Sequence, residues 1–169
     1  MGVTTTIYSV EPGMMKKVEE DNENLAYITG DCEENENWEV ASFDFDSGVD
    51  TYINIFFNAG AKESRKLIDS GYAELGLFDF NGYDIWAIPP SAVEIMQDEL
   101  EALTPAMEDK IISDNLVDNH ETEVMKIKDR RGTVLPGDAI RGYLDDIEKF
   151  KEFLYKAKEQ KNYLIVIEG

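Results

Sequence analysis

The chain is poor in the residues that most often do chemistry. It has one cysteine, Cys32, and one histidine, His120. A single cysteine excludes an internal disulfide and every paired-cysteine metal or redox motif. Asp31, Glu33 and Glu34 beside it disfavour the thiolate, so Cys32 reads as a small packing or surface residue rather than a nucleophile. His120 stands in a polar run with Asp118, Asn119 and Glu121, which reads as surface loop. Ser–His or Cys–His catalysis would have to recruit this one imidazole, and no spacing ties Ser113 or Cys32 to it. The phosphate-cradling patterns GxxxxGK[ST] and GxGxxG are missing, and Gly71, Gly76 and Gly82 are scattered turn glycines. No apolar run approaches the roughly 20 residues of a membrane span. The opening residues have neither the basic start nor the apolar length of a secretory leader, so the expected location is the cytoplasm.

Positive charge is scarce too. Sixteen Lys and Arg face 36 Asp and Glu, a net charge of −20. The imbalance is uneven: residues 1–125 hold 28 acids and 6 bases, residues 126–169 hold 8 and 10. A field of this sign repels DNA, RNA and anionic membranes and attracts basic proteins. It also opposes compactness, so stability is expected to rise with salt. Disorder requires low hydrophobicity along with charge, and 43% hydrophobic residues is a globular value. The length fits a single domain spanning residues 1–169.

Hydrophobic periodicity outlines the elements. Thr4 to Val10 is β-branched and reads as a strand ending before Glu11-Pro12-Gly13. Pro12 suits a first helical turn, although Met14, Met15, Val18, Leu25 and Ile28 are loosely spaced. Glu19 to Glu39 carries nine acids and no base, the composition of a solvated loop or exposed helix face. Trp38 to Phe45 fits strand or helix. Val49, Tyr52, Ile53, Phe56 and Phe57 form a helical stripe ended by Gly60, with a strand as the competing reading. Lys62 to Ser70 reads as a short helix closed by Gly71. Asn81-Gly82 between Phe78–Phe80 and Tyr83–Ile88 predicts a hairpin.

Downstream of Pro89-Pro90, Ser91 to Glu94 has the form of a capping box, opening a helix with Val93, Met96, Leu100 and Leu103 inward. Thr104-Pro105 predicts a capped restart whose apolar face continues through Met107 and Ile111. Asp114 to Glu123 reads as loop, Val124 to Ile127 as a short strand, and Arg131-Gly132 and Pro136-Gly137 as turns. Ile140, Leu144, Ile147, Phe150, Leu154 and Ala157 make the clearest amphipathic helix. On it, Asp145–Lys149 and Glu152–Lys156 stand four apart in the favourable order. Tyr163 to Ile167 is a continuous apolar strand, expected to be covered on both faces. Strands and helices intersperse without a βα repeat. The predicted fold is α+β: a mixed sheet packed against amphipathic helices, with a C-terminal helix followed by a buried strand.

The order of these pieces resembles the YfbM-like family, bacterial domains of unknown function. The likeness is carried by the opening strand MGVTTTIYSV and by Ile88-Pro89-Pro90-Ser91-Ala92-Val93 with Leu100-Glu101-Ala102-Leu103. That second piece is similar to the family's threonine-proline helix start and its leucine-rich turn. Leu135-Pro136-Gly137 stands where the family has a tyrosine-proline turn. Tyr143-Leu144, Phe150 to Ala157, Asn162 and the strand Tyr163–Ile167 complete the match. The resemblance implies an α+β fold and a bacterial or phage setting, and no activity. One departure stands out: many members carry Trp and His on a helix before Thr-Gly, whereas Val49 to Gly60 has neither and ends Asn58-Ala59-Gly60.

Other constellations carry little chemistry. Asp44-Phe45-Asp46-Ser47-Gly48 begins like a calcium loop, but its glycine is one place early and Ile55 replaces the bidentate glutamate. Asp44, Asp46 and Asp50 remain a conceivable hard-cation site, against the plainer reading of a solvated acidic turn. Lys126, Lys128, Arg130 and Arg131 cluster, but Asp129 interrupts them and the total field opposes nucleic acid. Thirty-six acids supply too many carboxylate pairs for any to be informative. No cofactor is expected. The leading expectation is a protein-binding module for a basic partner, for example an immunity-type factor that neutralises a cationic toxin. Its contact residues are expected in the acidic runs: Glu33, Glu34, Glu36, Glu39, Asp109, Asp114, Asp118 and Glu121. The alternatives are a DNA-mimic inhibitor and a carboxylate-based or metal-assisted enzyme.

Overall fold

The computed structural model describes residues 5–30, 40–45, 61–64, 84–119, 122–128, 134–136 and 144–168. In chain order they form β1 (Thr5–Val10), α1 (Pro12–Glu20), a 3-10 turn (Asn22–Asn24), α2 (Leu25–Thr29), β2 (Ala41–Phe45) and β3 (Asp84–Ile88). Then come α3 (Pro90–Glu101), α4 (Pro105–Asn115), β4 (Leu116–Asn119), β5 (Thr122–Lys128), β6 (Val134–Pro136), α5 (Leu144–Glu159) and β7 (Tyr163–Glu168). Residues 62–64 are helical. The expected helix over 49–60, most of that over 62–70 and the first arm of the Asn81-Gly82 hairpin lie outside the described residues.

The principal sheet has the order β2-β1-β7-β3. β7 runs against both its neighbours, pairing Thr5 with Glu168 on one side and Asp84 with Glu168 on the other, and β2 runs against β1. All described pairings are therefore antiparallel, in place of the mixed sheet expected. The α+β class and the packing of helices on the sheet are as read from the sequence. Trp38 to Phe45 resolves as strand from Ala41 onward.

Side-chain alternation along β7 divides the core in two. Leu164 and Val166 join Ile7, Ile88, Met96, Leu100 and Phe150 under α3 and α5. Ile165, with Tyr163 and Ile167 partly buried, faces Val10, Met15, Val18, Leu25 and Ile28 under α1 and α2. The last strand is thus covered on both faces, as its unbroken apolar run requires. The loose spacing of Met15, Val18, Leu25 and Ile28 reflects two short helices separated by the 3-10 turn. Pro12 occupies the first helical turn of α1.

Local signals fared unevenly. The predicted inward stripe of α5 holds at Ile147, Phe150, Leu154 and Ala157, all fully buried, and Lys156 pairs with Glu152 at 3.1 Å. Thr104 caps α4, its hydroxyl accepting from the Met107 amide at 3.3 Å. The capping box at Ser91 does not form: α3 begins at Pro90, with Pro89 as an extended N-cap (ψ 161°) and no side-chain cap bond. A proline at the first helical position lacks an N–H and holds its predecessor extended, so the start is fixed one residue ahead of Ser91. The described residues within the expected loop over 114–123 are helix and strand. α4 runs through Asn115, and Leu116–Asn119 pairs with Thr122–Met125 in an antiparallel hairpin of a second sheet, ordered β4-β5-β6. Polar composition concealed it because a ladder needs only backbone groups.

Helix α5 ends in a Schellman turn. The Asn162 amide donates to the Ala157 carbonyl at 2.9 Å, and Lys161 takes a left-handed conformation with φ 54°. Gly30 takes the same role after α2, at φ 81°, where no Cβ opposes it. Lys161→Gly is expected to stabilise the fold by about 1 kcal/mol, the cost of a left-handed lysine. That raises the melting temperature by roughly 2–4 °C in differential scanning calorimetry. Phe150, whose ring lies 5.2 Å from that of Phe43, is fully buried. Phe150→Ala is expected to cost about 3–5 kcal/mol in urea unfolding.

Candidate functional site

Helices α3 and α4 are strongly acidic. Residues 90–115 hold seven acids (Glu94, Asp98, Glu99, Glu101, Glu108, Asp109 and Asp114) and one base, Lys110. Asp109 and Asp114, both expected to contact a partner, are exposed on α4. Asp118 lies on β4. Glu33, Glu34, Glu36, Glu39 and Glu121 lie outside the described residues, as do Cys32 and His120. Upstream, Glu19 and Glu20 are exposed on α1, matching the expected exposed helix face. Ile95 on α3 and Met107 on α4 interrupt these acidic surfaces, 49% and 45% exposed, and Tyr155 on α5 is 50% exposed.

Glu108, Asp98 and Glu99 are engaged in structural contacts. Glu108 points inward, where Lys151 of α5 meets it at 2.8 Å, the two side chains only 8% and 9% exposed. The Lys151 ammonium also donates to the Leu103 carbonyl and to Glu148, both at 3.2 Å. Lys158 donates to Asp98 at 2.9 Å and to the buried Gln97 at 3.2 Å. Glu99 accepts from the amides of Glu63 and Ser64, at 3.0 and 2.7 Å, and from the Ser64 hydroxyl at 2.6 Å. Its carboxylate thereby satisfies orphan donors at the start of the helical residues 62–64.

The Lys151 contacts correct the expected face of α4. Met107 is largely exposed and Ile111 half-buried, while Glu108 and Ile112 turn inward. The inward stripe is displaced by one residue because a glutamate is needed opposite the lysine. Sequence reasoning missed this group, yet one signal was present: Lys151 lies four residues after Ile147 and three before Leu154, inside the apolar stripe.

Chemically, the arrangement saturates its charges. Burial pushes the Lys151 ammonium down, but hydrogen bonds to Glu108 and Glu148, reinforced by their charges, more than offset it and hold the pKa above the ordinary lysine value of 10.5. A lysine kept protonated in this way is neither nucleophile nor base at neutral pH. Asp98 likewise holds Lys158 above its ordinary value, chiefly by its hydrogen bond. Asp44, from the conceivable cation loop, accepts from the Thr6 hydroxyl at 2.6 Å, while Asp46 and Asp50 lie outside the described residues. Among the described residues no group of three His, Cys, Asp or Glu side chains could hold a metal ion, and no helix is long and apolar enough to cross a membrane.

The architecture is an α+β fold with helices on both faces of an antiparallel sheet. Its overall course is similar to that of a solved structure from Escherichia coli, described as a protein of unknown function YfbM. The TM-score is 0.59 at 9% sequence identity, over 98% of this chain and 99% of that one. No family model matches the sequence, and no curated protein matches it. The likeness is one of fold.

The raised pKa of Lys151 sets the sign of a pH effect. Its stabilisation is complete below the unfolded-state value of 10.5 and is lost as pH rises through the higher folded-state value. Lys151→Met leaves Glu108 buried without its cation, at a cost of about 3–5 kcal/mol. The stability gap between the two proteins, measured by urea unfolding, is expected to hold steady between about pH 7 and 9 and to narrow in stronger alkali.

Proposed function

We propose that this chain is a YfbM-like protein-binding module whose partner is a basic protein. The observation that carries the reading is the acidic α3–α4 segment, residues 90–115, where seven acids, Glu108 among them buried, stand against one lysine. Asp98, Glu99 and Glu108 are engaged internally, while Glu94, Glu101 and Asp109 are exposed. Ile95 and Met107 add exposed apolar contacts to the same helices. Surfaces of this kind attract a cationic partner over long range and bury some apolar area on contact. A form consistent with this is a cytoplasmic immunity-type factor that neutralises a cationic toxin such as a nuclease.

Affinity capture at low salt, from a lysate containing the products of neighbouring genes, is expected to recover a basic protein. Its association with the purified chain should slow as salt rises, because charge complementarity acts mainly on the on-rate. Combined Glu101→Lys and Asp109→Lys substitutions are expected to reduce that rate by about tenfold with little change in melting temperature. Recovery of no basic protein, or binding indifferent to both salt and the substitutions, contradicts the reading. Displacement of the chain from its partner by DNA marks the narrower case of nucleic-acid mimicry.

A further inference from the structure

Helix α4 is held to the body by very little apolar contact. α3 buries Ala92, Val93, Met96 and Leu100, and α5 buries Ile147, Phe150, Leu154 and Ala157. α4 fully buries one apolar side chain, Ile112, with Ile111 and the following Leu116 half-buried against the same core. Its other inward residue is Glu108, and that carboxylate is fixed by Lys151. The same ammonium donates to the Leu103 carbonyl, in the short connection between α3 and α4. One buried cation therefore grips both the helix and the joint on which it turns. Beyond α4 the chain passes directly into β4, and among the described elements the principal packing partner of the second sheet is α4.

Elements with few buried apolar contacts open at lower free energy than the core that supports them. Among the described residues, the buried terms holding α4 are its single buried isoleucine, the two half-buried neighbours and an ion pair. Loss of either ion-pair partner strands a charge in a dry site. We infer that Lys151 is a latch: α4 and the hairpin β4–β5 open from the body as one unit about the Leu103–Thr104 joint, and the Lys151–Glu108 pair sets how often they do. This device is independent of any partner, and it can be tested on the chain alone.

The experiment is native-state hydrogen exchange on the full chain, read by mass spectrometry in mild denaturant. In the wild type, amides of α4 and β4–β5 are expected to exchange together, at least about tenfold faster than those of α5 and β7. Lys151→Met should accelerate α4 and the hairpin by at least about tenfold, and β7 by a similar factor, because losing the pair destabilises the closed state relative to both the open and the unfolded states. Adding Glu108→Leu to Lys151→Met removes the stranded charge and should restore most of the protection. Should Lys151→Met fail to fold, Glu108→Gln, which keeps an acceptor but loses the charge, is expected to give the same pattern. The latch is overturned if wild-type α4 exchanges only with the global unfolding of β7, or if the substitution that folds lowers global stability and leaves α4 exchange unchanged.

Discussion

Strand β7 has to be dry on both faces, and most of the architecture follows from that requirement. Leu164 and Val166 face one helical layer, and Ile165 faces the other. Each side chain of this kind contributes about 1.5–3 kcal/mol when removed from water. The benefit is realised only if helices cover both sides. α3 and α5 provide the first cover and α1 with α2 the second. β7 must also lie inside the sheet, because an edge strand leaves half its backbone groups unpaired. β1 and β3 fill those two flanks, and the antiparallel order β2-β1-β7-β3 results.

Among the described residues, charge is arranged around this core rather than within it, with one exception. The near-neutral C-terminal segment supplies the cations that engage the acids of the preceding helices. Lys151 reaches Glu108 and Lys158 reaches Asp98, joining residues that are 43 and 60 positions apart. The two pairs differ in character. Lys158–Asp98 is open to solvent on one side, where screening leaves such contacts little net weight. Lys151–Glu108 is almost dry, so its desolvation cost is large and its value depends on every acceptor around the ammonium being present. The uneven charge distribution along the chain thus becomes a set of cross-chain contacts once the helices pack.

Elements whose periodicity coincides with burial were legible. β1, α5, β7 and the inward face of α3 follow from spacing alone, because one apolar stripe or run faces one core. Thr104 was legible as a cap because its hydroxyl acts within three residues. Signals that depend on competition between neighbours were not. Pro90 overrode the Ser91 box, since a fixed φ and a missing N–H outweigh one side-chain hydrogen bond. Val124–Ile127 was legible as the core of β5, whereas β4 was hidden by polar residues whose strand character comes from backbone pairing. Glu108 was hidden because its inward position has meaning only beside Lys151, and periodicity within α4 cannot see a residue on another helix. Among the acidic candidates, Asp109 and Asp114 are exposed on α4, and whether an acid is engaged could be told only through its partners in space.

The pairing of β1 with β7 also sets a timetable. Thr5 lies opposite Glu168 and Val10 opposite Tyr163, so the two central strands come from opposite ends of the sequence. Translation proceeds at roughly 5–20 residues per second, which places about ten to thirty seconds between the synthesis of β1 and that of its partner. During that interval Ile7 and Val10 have no β7 to cover them, and α1 has no finished sheet to lie on. Non-local closure of this kind is slow even once the chain is complete. The nascent protein therefore spends its early life with an apolar strand and an unpaired edge exposed. A strongly negative chain is well suited to that wait, because copies emerging side by side repel one another before their strands can pair wrongly.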